Sequence, residues 1–278
     1  MTYQEIYREA CELLENAGIV DARTDAWILL EYVTGVSRTL FYVEPGRELA
    51  DDAAQEYKRL LAQRVKRIPV QHLTGEQEFM GMTFQVNPSV LVPRQDTEVL
   101  VELAEKVLRP GMRVLDMCTG SGCIGVSLAV RNQGLAVTGA DISGDALDLA
   151  EKNAENLGAD VKFVQSDMFS EIEGNYDMII SNPPYIPTAE IERLETEVKL
   201  HDPFGALDGR EDGLHFYRIL AEEGPAHLKQ GGYLMLEIGH DQSAAVEKLL
   251  KENGFIEVRT EKDLAGLDRV VAGVYNRQ

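Results

Sequence analysis

Asn182-Pro183-Pro184-Tyr185 is the stretch of this chain whose residue types best suit a chemical task. An amide or aromatic amine has a delocalised lone pair and is a poor nucleophile. Two acceptors aimed at its two N–H groups would localise that pair and direct it at an electrophile. The Asn182 side-chain oxygen is one acceptor, because an amide carries both acceptor and donor. The Pro183 carbonyl is a second. Pro184 biases Pro183 toward an extended conformation and both φ angles are fixed, so that carbonyl is preorganised. The Tyr185 ring can lie on a flat substrate group. The same residues would also make a rigid turn closing a strand, since Asn and Pro are ordinary turn residues.

The elements around the tetrapeptide decide where it sits. It follows an apolar run, Tyr176 to Ser181, that reads as a buried strand. It therefore lies at the C-terminal end of a strand, where open α/β sheets place their ligands. From residue 112 strands and helices alternate, with strands at 112–116, 135–141, 160–165 and 176–181 and helices at 122–131 and 144–157. A helix near 213–228, a strand at 232–238 and a helix at 242–252 follow. The last two strands, Phe255 to Thr260 and Arg269 to Tyr275, are joined by a short loop and must run antiparallel, since parallel neighbours need a crossover. The expected fold class is therefore α/β, a seven-stranded mixed sheet of the S-adenosylmethionine-dependent methyltransferase (Rossmann-like) type with a reversed last strand.

Upstream, residues 1–72 read as a small helical bundle. Apolar residues recur at helical spacing over 2–17 and 21–33, with Gly18 and Gly35 as stops. A short helix follows Ser37, and a longer one runs from an Asp51 or Asp52 cap to about Arg67, ended by Pro69. This bundle suits either partner recognition or a stabilising lid. Residues 73–93 read as a β-hairpin linker, two short strands around Asn87-Pro88-Ser89. Residues 94–278 form the large domain. In Pro93-Arg94-Gln95-Asp96-Thr97-Glu98, Asp96 can cap the next helix, and Arg94 can equally stand at an active-site entrance.

Val114 to Gly122 is a strand running into a glycine loop, Cys118-Thr119-Gly120-Ser121-Gly122. Gly120, Gly122 and Gly125 also satisfy G-x-G-x-x-G with Asp141 about twenty residues on, so a dinucleotide must be weighed. Both cofactor types use glycines to approach a helix N-terminus and an acidic residue to hold ribose. Three features favour S-adenosylmethionine: Asp116 inside the strand end, a Ser166-Asp167-Met168-Phe169 loop suited to adenine, and the amine-holding tetrapeptide on the fourth strand. Methyl transfer from a sulfonium has a neutral leaving group, so it needs neither a His base nor a metal. Catalysis then rests on alignment and electrostatics.

Charge and composition narrow the partners. The net charge is −20, and residues 1–70 hold 9 Lys/Arg against 12 Asp/Glu while the rest hold 18 against 35. A duplex-binding protein needs a basic footprint. The one basic cluster, Lys58, Arg59, Arg64, Lys66 and Arg67, reads first as a solvated helix face and second as a docking patch for an acidic partner. Cys11, Cys118 and Cys123 form neither a disulfide framework nor a paired metal motif, which suits a reducing cytoplasm. His72, His201, His215, His227 and His240 show no ligand spacing, so no metal is expected. No run of about 18 apolar residues exists to span a membrane.

With these residues in view the chain resembles the HemK-type protein-(glutamine-N5) methyltransferases. Pro93 to Glu98 resembles that family's PRxDTE, Leu115 to Gly122 its cofactor loop, and Asn182 to Pro187 its substrate motif. Ala206-Leu207-Asp208-Gly209, Asp212-Gly213-Leu214 and Tyr217-Arg218 resemble its later signature. The resemblance implies methyl transfer from S-adenosylmethionine to the side-chain amide of the GGQ glutamine of class 1 peptide chain release factors, with the helical domain binding the release factor. It also implies site roles. Cys118, Thr119, Gly120, Ser121 and Gly122 wrap the methionine part of the cofactor. Asp141 holds ribose, Asp167 and Met168 border adenine, and Asn182 touches both cofactor and substrate. Asn182, Pro183 and Tyr185 would be catalytic, and Pro184 and Arg94 would join them in substrate binding. Two departures stand out: Cys118 where the family usually has Gly, so that a positive φ would be strained, and Met168 where an aromatic residue is common. The rival activities are methylation of a glutamine of a large-subunit ribosomal protein and, against the acidic charge, of adenine-N6 in DNA.

Overall fold

The computed structural model describes residues 1–276. The chain divides into two compact units, Met1–Glu76 with Glu195–His201, and Gln77–Leu194 with Asp202 onward.

The first unit is helical. It contains α1 (Tyr3–Asn16), α2 (Ala22–Thr34), α3 (Arg38–Val43), α4 (Asp51–Arg64) and α5 (Val70–Thr74), together with the 195–201 segment. Thr2 and Glu5 close a capping box on α1, and Gly35 ends α2 in the left-handed region. The cap of α4 differs from expectation: Ala50 occupies that position with no side-chain bond, and Asp51 and Asp52 lie in the first turn, where they suit the positive helix end. Pro69 caps α5, an unexpected single turn. The core gathers Ile6, Leu14, Trp27, Leu30, Phe41, Tyr57 and Leu61. The basic cluster on α4 and the turn after it is not a solvated face throughout. Arg64 is 4% exposed, binds Asp25 at 2.6 Å and holds both oxygens of Glu197 at 2.8 and 2.9 Å. Arg67 caps the carbonyls of Ala17 and Gly18. A helical period shows which residues share a face but not which distant carboxylates that face meets.

The second unit begins at Gln77, inside the first strand of the hairpin made by β1 (Glu76–Phe79) and β2 (Met82–Gln85). Its turn is Met80-Gly81, not Asn87-Pro88-Ser89. Both turn residues have positive φ, 52° and 73°, as a two-residue type I′ connection requires. Glu98 accepts the Met80 N–H at 2.6 Å, while Asn87 forms a local turn by accepting from Ser89. Phe79 and Phe84 sink into the core, and Asn153 ties Gln85 to the Ser121 carbonyl.

Then come α6 (Glu98–Glu105), β3 (Arg113–Met117), α7 (Cys123–Arg131), β4 (Ala136–Asp141), α8 (Gly144–Leu157), β5 (Val161–Gln165) and β6 (Tyr176–Ser181). Three short helices follow, α9 (Thr188–Ile191), α10 (Thr196–His201, in the first unit) and α11 (Phe204–Leu207). The chain continues through α12 (His215–His227), β7 (Leu228–Glu237), α13 (Ser243–Glu252), β8 (Phe255–Lys262) and β9 (Asp268–Tyr275). The seven strands lie in the order β5-β4-β3-β6-β7-β9-β8, with β9 antiparallel to both neighbours. Successive residues of the central strands point into opposite layers. Val114, Met178, Ile180 and Met235 pack with α6 and α7, whereas Leu115, Met117, Ile179, Leu234 and Leu236 pack with α12 and α13. A sheet covered on both faces needs such unbroken apolar strands. After β5 the chain returns to the other side of β3, so the order reverses between β3 and β6. That crevice is where such sheets bind ligands.

Candidate active site

The crevice is built first from the loop after β3. Asp116 is completely buried at the strand end. Its Oδ2 accepts from the Thr119 hydroxyl at 2.5 Å and from the Gly125 N–H at 2.9 Å, while Oδ1 has no partner among the described residues. Burial pushes its carboxyl up to about 7 against the pull of these two donors. A Cβ at Gly125 would come within 3.0 Å of Oδ2, so glycine there lets α7 rest on the carboxylate. Gly122 caps α7 with φ 80°, and Cys118 has φ 61°, the left-handed conformation that strains a non-glycine residue. Burial also drives the Cys118 thiol well above its usual value, so it is held protonated. At the end of β4, Asp141 accepts from the Gly120 N–H at 2.9 Å and the Ser143 N–H at 3.0 Å. Burial raises its pKa and those backbone bonds counter it. After β5, Ser166 braces its loop by donating to the Met168 carbonyl at 2.6 Å, and Met168 adopts φ 47°.

β6 carries the tetrapeptide to the same level. Ser181 donates to the Met117 carbonyl at 2.6 Å, which locks the two strand ends together. The Asn182 Nδ2 donates to the Thr97 hydroxyl oxygen at 3.3 Å. Gln242 donates to the Tyr185 carbonyl at 2.9 Å, and the Tyr185 hydroxyl reaches toward Glu237 at 3.5 Å. The later signature is a bracket for this stretch. Asp208 pairs with Ile186 in a bridge and accepts from the Thr188 hydroxyl at 2.5 Å. At Gly209 a Cβ would fall 2.7 Å from the Tyr185 carbonyl carbon, so the backbones can touch only because no side chain intervenes.

A cavity of about 520 Å³ joins these parts, within the usual range of roughly 300–1,000 Å³ for a small-molecule site. Of the residues singled out in the sequence, Cys118, Thr119, Gly120, Ser121, Asp141, Asp167, Met168, Asn182, Pro184 and Arg94 line it. Gly122, Pro183 and Tyr185 stand outside the lining, Gly122 as the cap of α7 and Tyr185 as an anchor behind the wall. Arg94 is held by Asp202 at 2.8 Å. Asp96 does not cap α6; Thr97 takes that position without a side-chain bond, and Asp96 pairs instead with Arg269.

Sequence reasoning missed Thr97, Phe216, Ile219 and Glu237. Phe216 and Ile219 line the cavity at helical i, i+3 spacing on α12. A carboxylate closing the apolar run Leu234-Met235-Leu236 was the available signal for Glu237. The donor set fits a nucleoside cofactor carrying an amino acid: carboxylates at Asp141 and Asp167 for hydroxyls and an amine, apolar Met168 and Ile142 for a base, and backbone N–H groups at the α7 terminus. Among the described residues no group of three or more His, Cys, Asp or Glu is placed to hold a metal ion, and no helix is long and apolar enough to cross a membrane.

Comparisons with known proteins agree with this geometry. Residues 5–75 match the family model described as the PrmC N-terminal domain, and residues 94–198 match the methyltransferase small domain. A release factor glutamine methyltransferase of Geobacter sulfurreducens is 41% identical over 261 residues, covering 94% of this chain and 92% of that protein. One from Caulobacter vibrioides is 40% identical, covering 99% and 97%. A solved methyltransferase from Pyrococcus furiosus, 19% identical with a TM-score of 0.56 over 78% of this chain and 100% of its own, shares the fold. Similarity at this level over nearly the whole of both chains leaves one conclusion: the chain belongs to the release factor glutamine methyltransferases, S-adenosylmethionine-dependent enzymes that methylate a protein glutamine side chain.

Proposed function

We propose that this chain transfers a methyl group from S-adenosylmethionine to the side-chain amide nitrogen of the GGQ glutamine of class 1 peptide chain release factors. The observation that carries the reading is that Asn182 and the glycine loop share one cavity at the strand-order reversal. The cofactor supplies an electrophilic methyl on a sulfonium with a neutral leaving group. This chain's residues bind, orient and exclude water. The loop Cys118 to Ser121 receives the methionine portion, with Gly122 turning the chain into α7 behind it, Asp141 the ribose hydroxyls, and Asp167 and Met168 the adenine. The Asn182 side-chain oxygen on the cavity wall accepts one amide N–H of the glutamine, and the Pro183 carbonyl, from just outside the cavity lining, accepts the other once substrate is seated, which localises the nitrogen lone pair toward the methyl. Pro184 and Arg94 shape the substrate side of the cavity, and Tyr185 pins the tetrapeptide from behind through its carbonyl and hydroxyl. The helical unit docks the release factor, and such a substrate places the enzyme in the cytoplasm.

Tritiated-methyl transfer to purified release factors, ribosomal proteins and DNA in parallel tests the assignment. Label is expected on a release factor and lost when the GGQ glutamine is replaced. Label confined to a ribosomal protein or to DNA would overturn the substrate.

A further inference from the structure

Pro183 and Pro184 carry no N–H and have fixed φ, so together they form a stiff rod whose direction depends on what holds its ends. At the entry, the Ser181 hydroxyl holds the Met117 carbonyl at 2.6 Å. At the exit, ahead of the Ile186–Asp208 bridge, the Tyr185 carbonyl is held by Gln242, which stands in the turn between β7 and α13. Gln242 is 8% exposed. Its Oε1 accepts from the Gly239 N–H at 2.9 Å and lies 3.4 Å from the Tyr217 hydroxyl. Its Nε2 donates to the Tyr185 carbonyl at 2.9 Å and to the Gly213 carbonyl at 3.4 Å. A backbone N–H can only donate and a carbonyl can only accept, so the amide fits just one way round.

A cap for its own helix would be the ordinary use of a polar side chain here. Gln242 does occupy the N-cap position of α13, yet it makes no side-chain cap bond and reaches across to the tetrapeptide instead. The surroundings keep that reach open. A Cβ at Gly213 would collide with the Tyr185 carbonyl oxygen and fall 2.7 Å from the Gln242 Nε2, so a side chain there would wedge donor from acceptor.

We propose that Gln242 is a positioning residue for methyl transfer, whose Nε2 fixes the exit of the tetrapeptide so that the Asn182 oxygen and the Pro183 carbonyl keep their aim at the substrate amide. This rests on the reading that those two oxygens receive the amide. Loss of the Nε2 donor frees the Tyr185 end of the rod, and a small misalignment of aligned acceptors slows transfer steeply. The cofactor loop belongs to β3, so cofactor binding is left intact.

Gln242→Glu isolates the donor. It keeps an oxygen for the Gly239 N–H and, when ionised, sets a second acceptor against the Tyr185 and Gly213 carbonyls; when protonated, its O–H donates to them again. The titratable and charged groups on the surrounding elements are Tyr217 on α12, Glu237 at the end of β7, His240 and Asp241 in the turn, Asp212 beside Gly213, and Arg269 near Tyr217. Burial and this acidic majority raise the introduced carboxyl.

The test is single-turnover methyl transfer at saturating release factor between about pH 6 and 9.5, with calorimetric cofactor binding and thermal melting, for Gln242→Glu, Gln242→Met and Asn182→Ala. Gln242→Met is expected to transfer about tenfold or more slowly while cofactor affinity stays within about threefold. Gln242→Glu is expected to approach the wild-type rate at low pH and to fall behind it increasingly as pH rises. A wild-type rate in Gln242→Met, or a loss of rate matched by an equal loss of cofactor affinity, refutes the positioning role. So does a Gln242→Glu rate that keeps one ratio to wild type at every pH. If Asn182→Ala itself transfers at the wild-type rate, the underlying reading of the tetrapeptide fails instead. Either Gln242 variant decides the matter should the other fold poorly.

Discussion

Substitution of Asn182 is the most direct probe of the chemistry. If, as proposed, the Asn182 oxygen accepts one N–H of the substrate amide, Asn182→Ala removes that acceptor from the cavity wall, a loss that in a water-poor site costs on the order of a hundredfold in turnover. At about 1.4 kcal/mol per tenfold, that is about 2.7 kcal/mol of transition-state stabilisation. Asn182→Asp discriminates further. It keeps an oxygen of similar size but deletes the Nδ2 donor that meets Thr97 at 3.3 Å. The new charge also faces a cationic sulfonium. Unit charges about 4 Å apart attract by about 4 kcal/mol at an effective dielectric of about 20, and a third of that is already tenfold in affinity. The attraction belongs to the ground state, because the positive charge on sulfur is neutralised as the methyl leaves. Asn182→Asp is therefore expected to bind S-adenosylmethionine as well as or better than wild type and to turn over far more slowly. Calorimetry gives the affinity, single-turnover label transfer to release factor gives the rate, and thermal melting checks that both variants fold. Wild-type rates in both variants would reduce the tetrapeptide to a turn and refute the catalytic reading.

Asp141→Ala strands the N–H groups of Gly120 and Ser143 as well as any ribose hydroxyls, so calorimetry should show cofactor binding weakened by about 1–3 kcal/mol, and NAD should not bind to the wild type. Arg64→Ala leaves Asp25 buried without its cation, a change that typically costs about 3–5 kcal/mol; fluorescence of Trp27, the only tryptophan, should report earlier unfolding of the helical unit. Asp116 and Glu237 both have folded-state pKa values raised to about 7, from 3.8 and 4.5, so between about pH 4 and 7 the folded chain binds more protons at these sites than the unfolded one. Their stabilising effect is complete below about pH 4 and is lost as pH rises through 7. The melting temperature of Glu237→Gln relative to wild type should therefore increase from pH 5 to pH 8, and a constant difference would refute the raised value.

Much of this molecule was legible from the order of its residues. Apolar runs alternating with helical periods placed β3 to β9 within a few residues, because a sheet covered on both faces needs strands that are apolar throughout. The short loop between the last two strands forced their antiparallel pairing, since no crossover fits in it. The glycine loop, Asp141, Asp167 and Asn182 were all visible as residue types following strand ends. Tertiary structure alone decided which of them meet. The reversal of strand order between β3 and β6 brings residues 118–121 and 182 to one cavity, and no local pattern encodes that adjacency. It also decided where the charges go. Asp96 left its helix for Arg269, Arg64 left solvent for Asp25 and Glu197, and Glu237 was drawn beneath the tetrapeptide. A local sequence period reports a residue's face and its exposure on average. The partner of a buried charge lies far away in the chain, so only packing of the whole unit can name it.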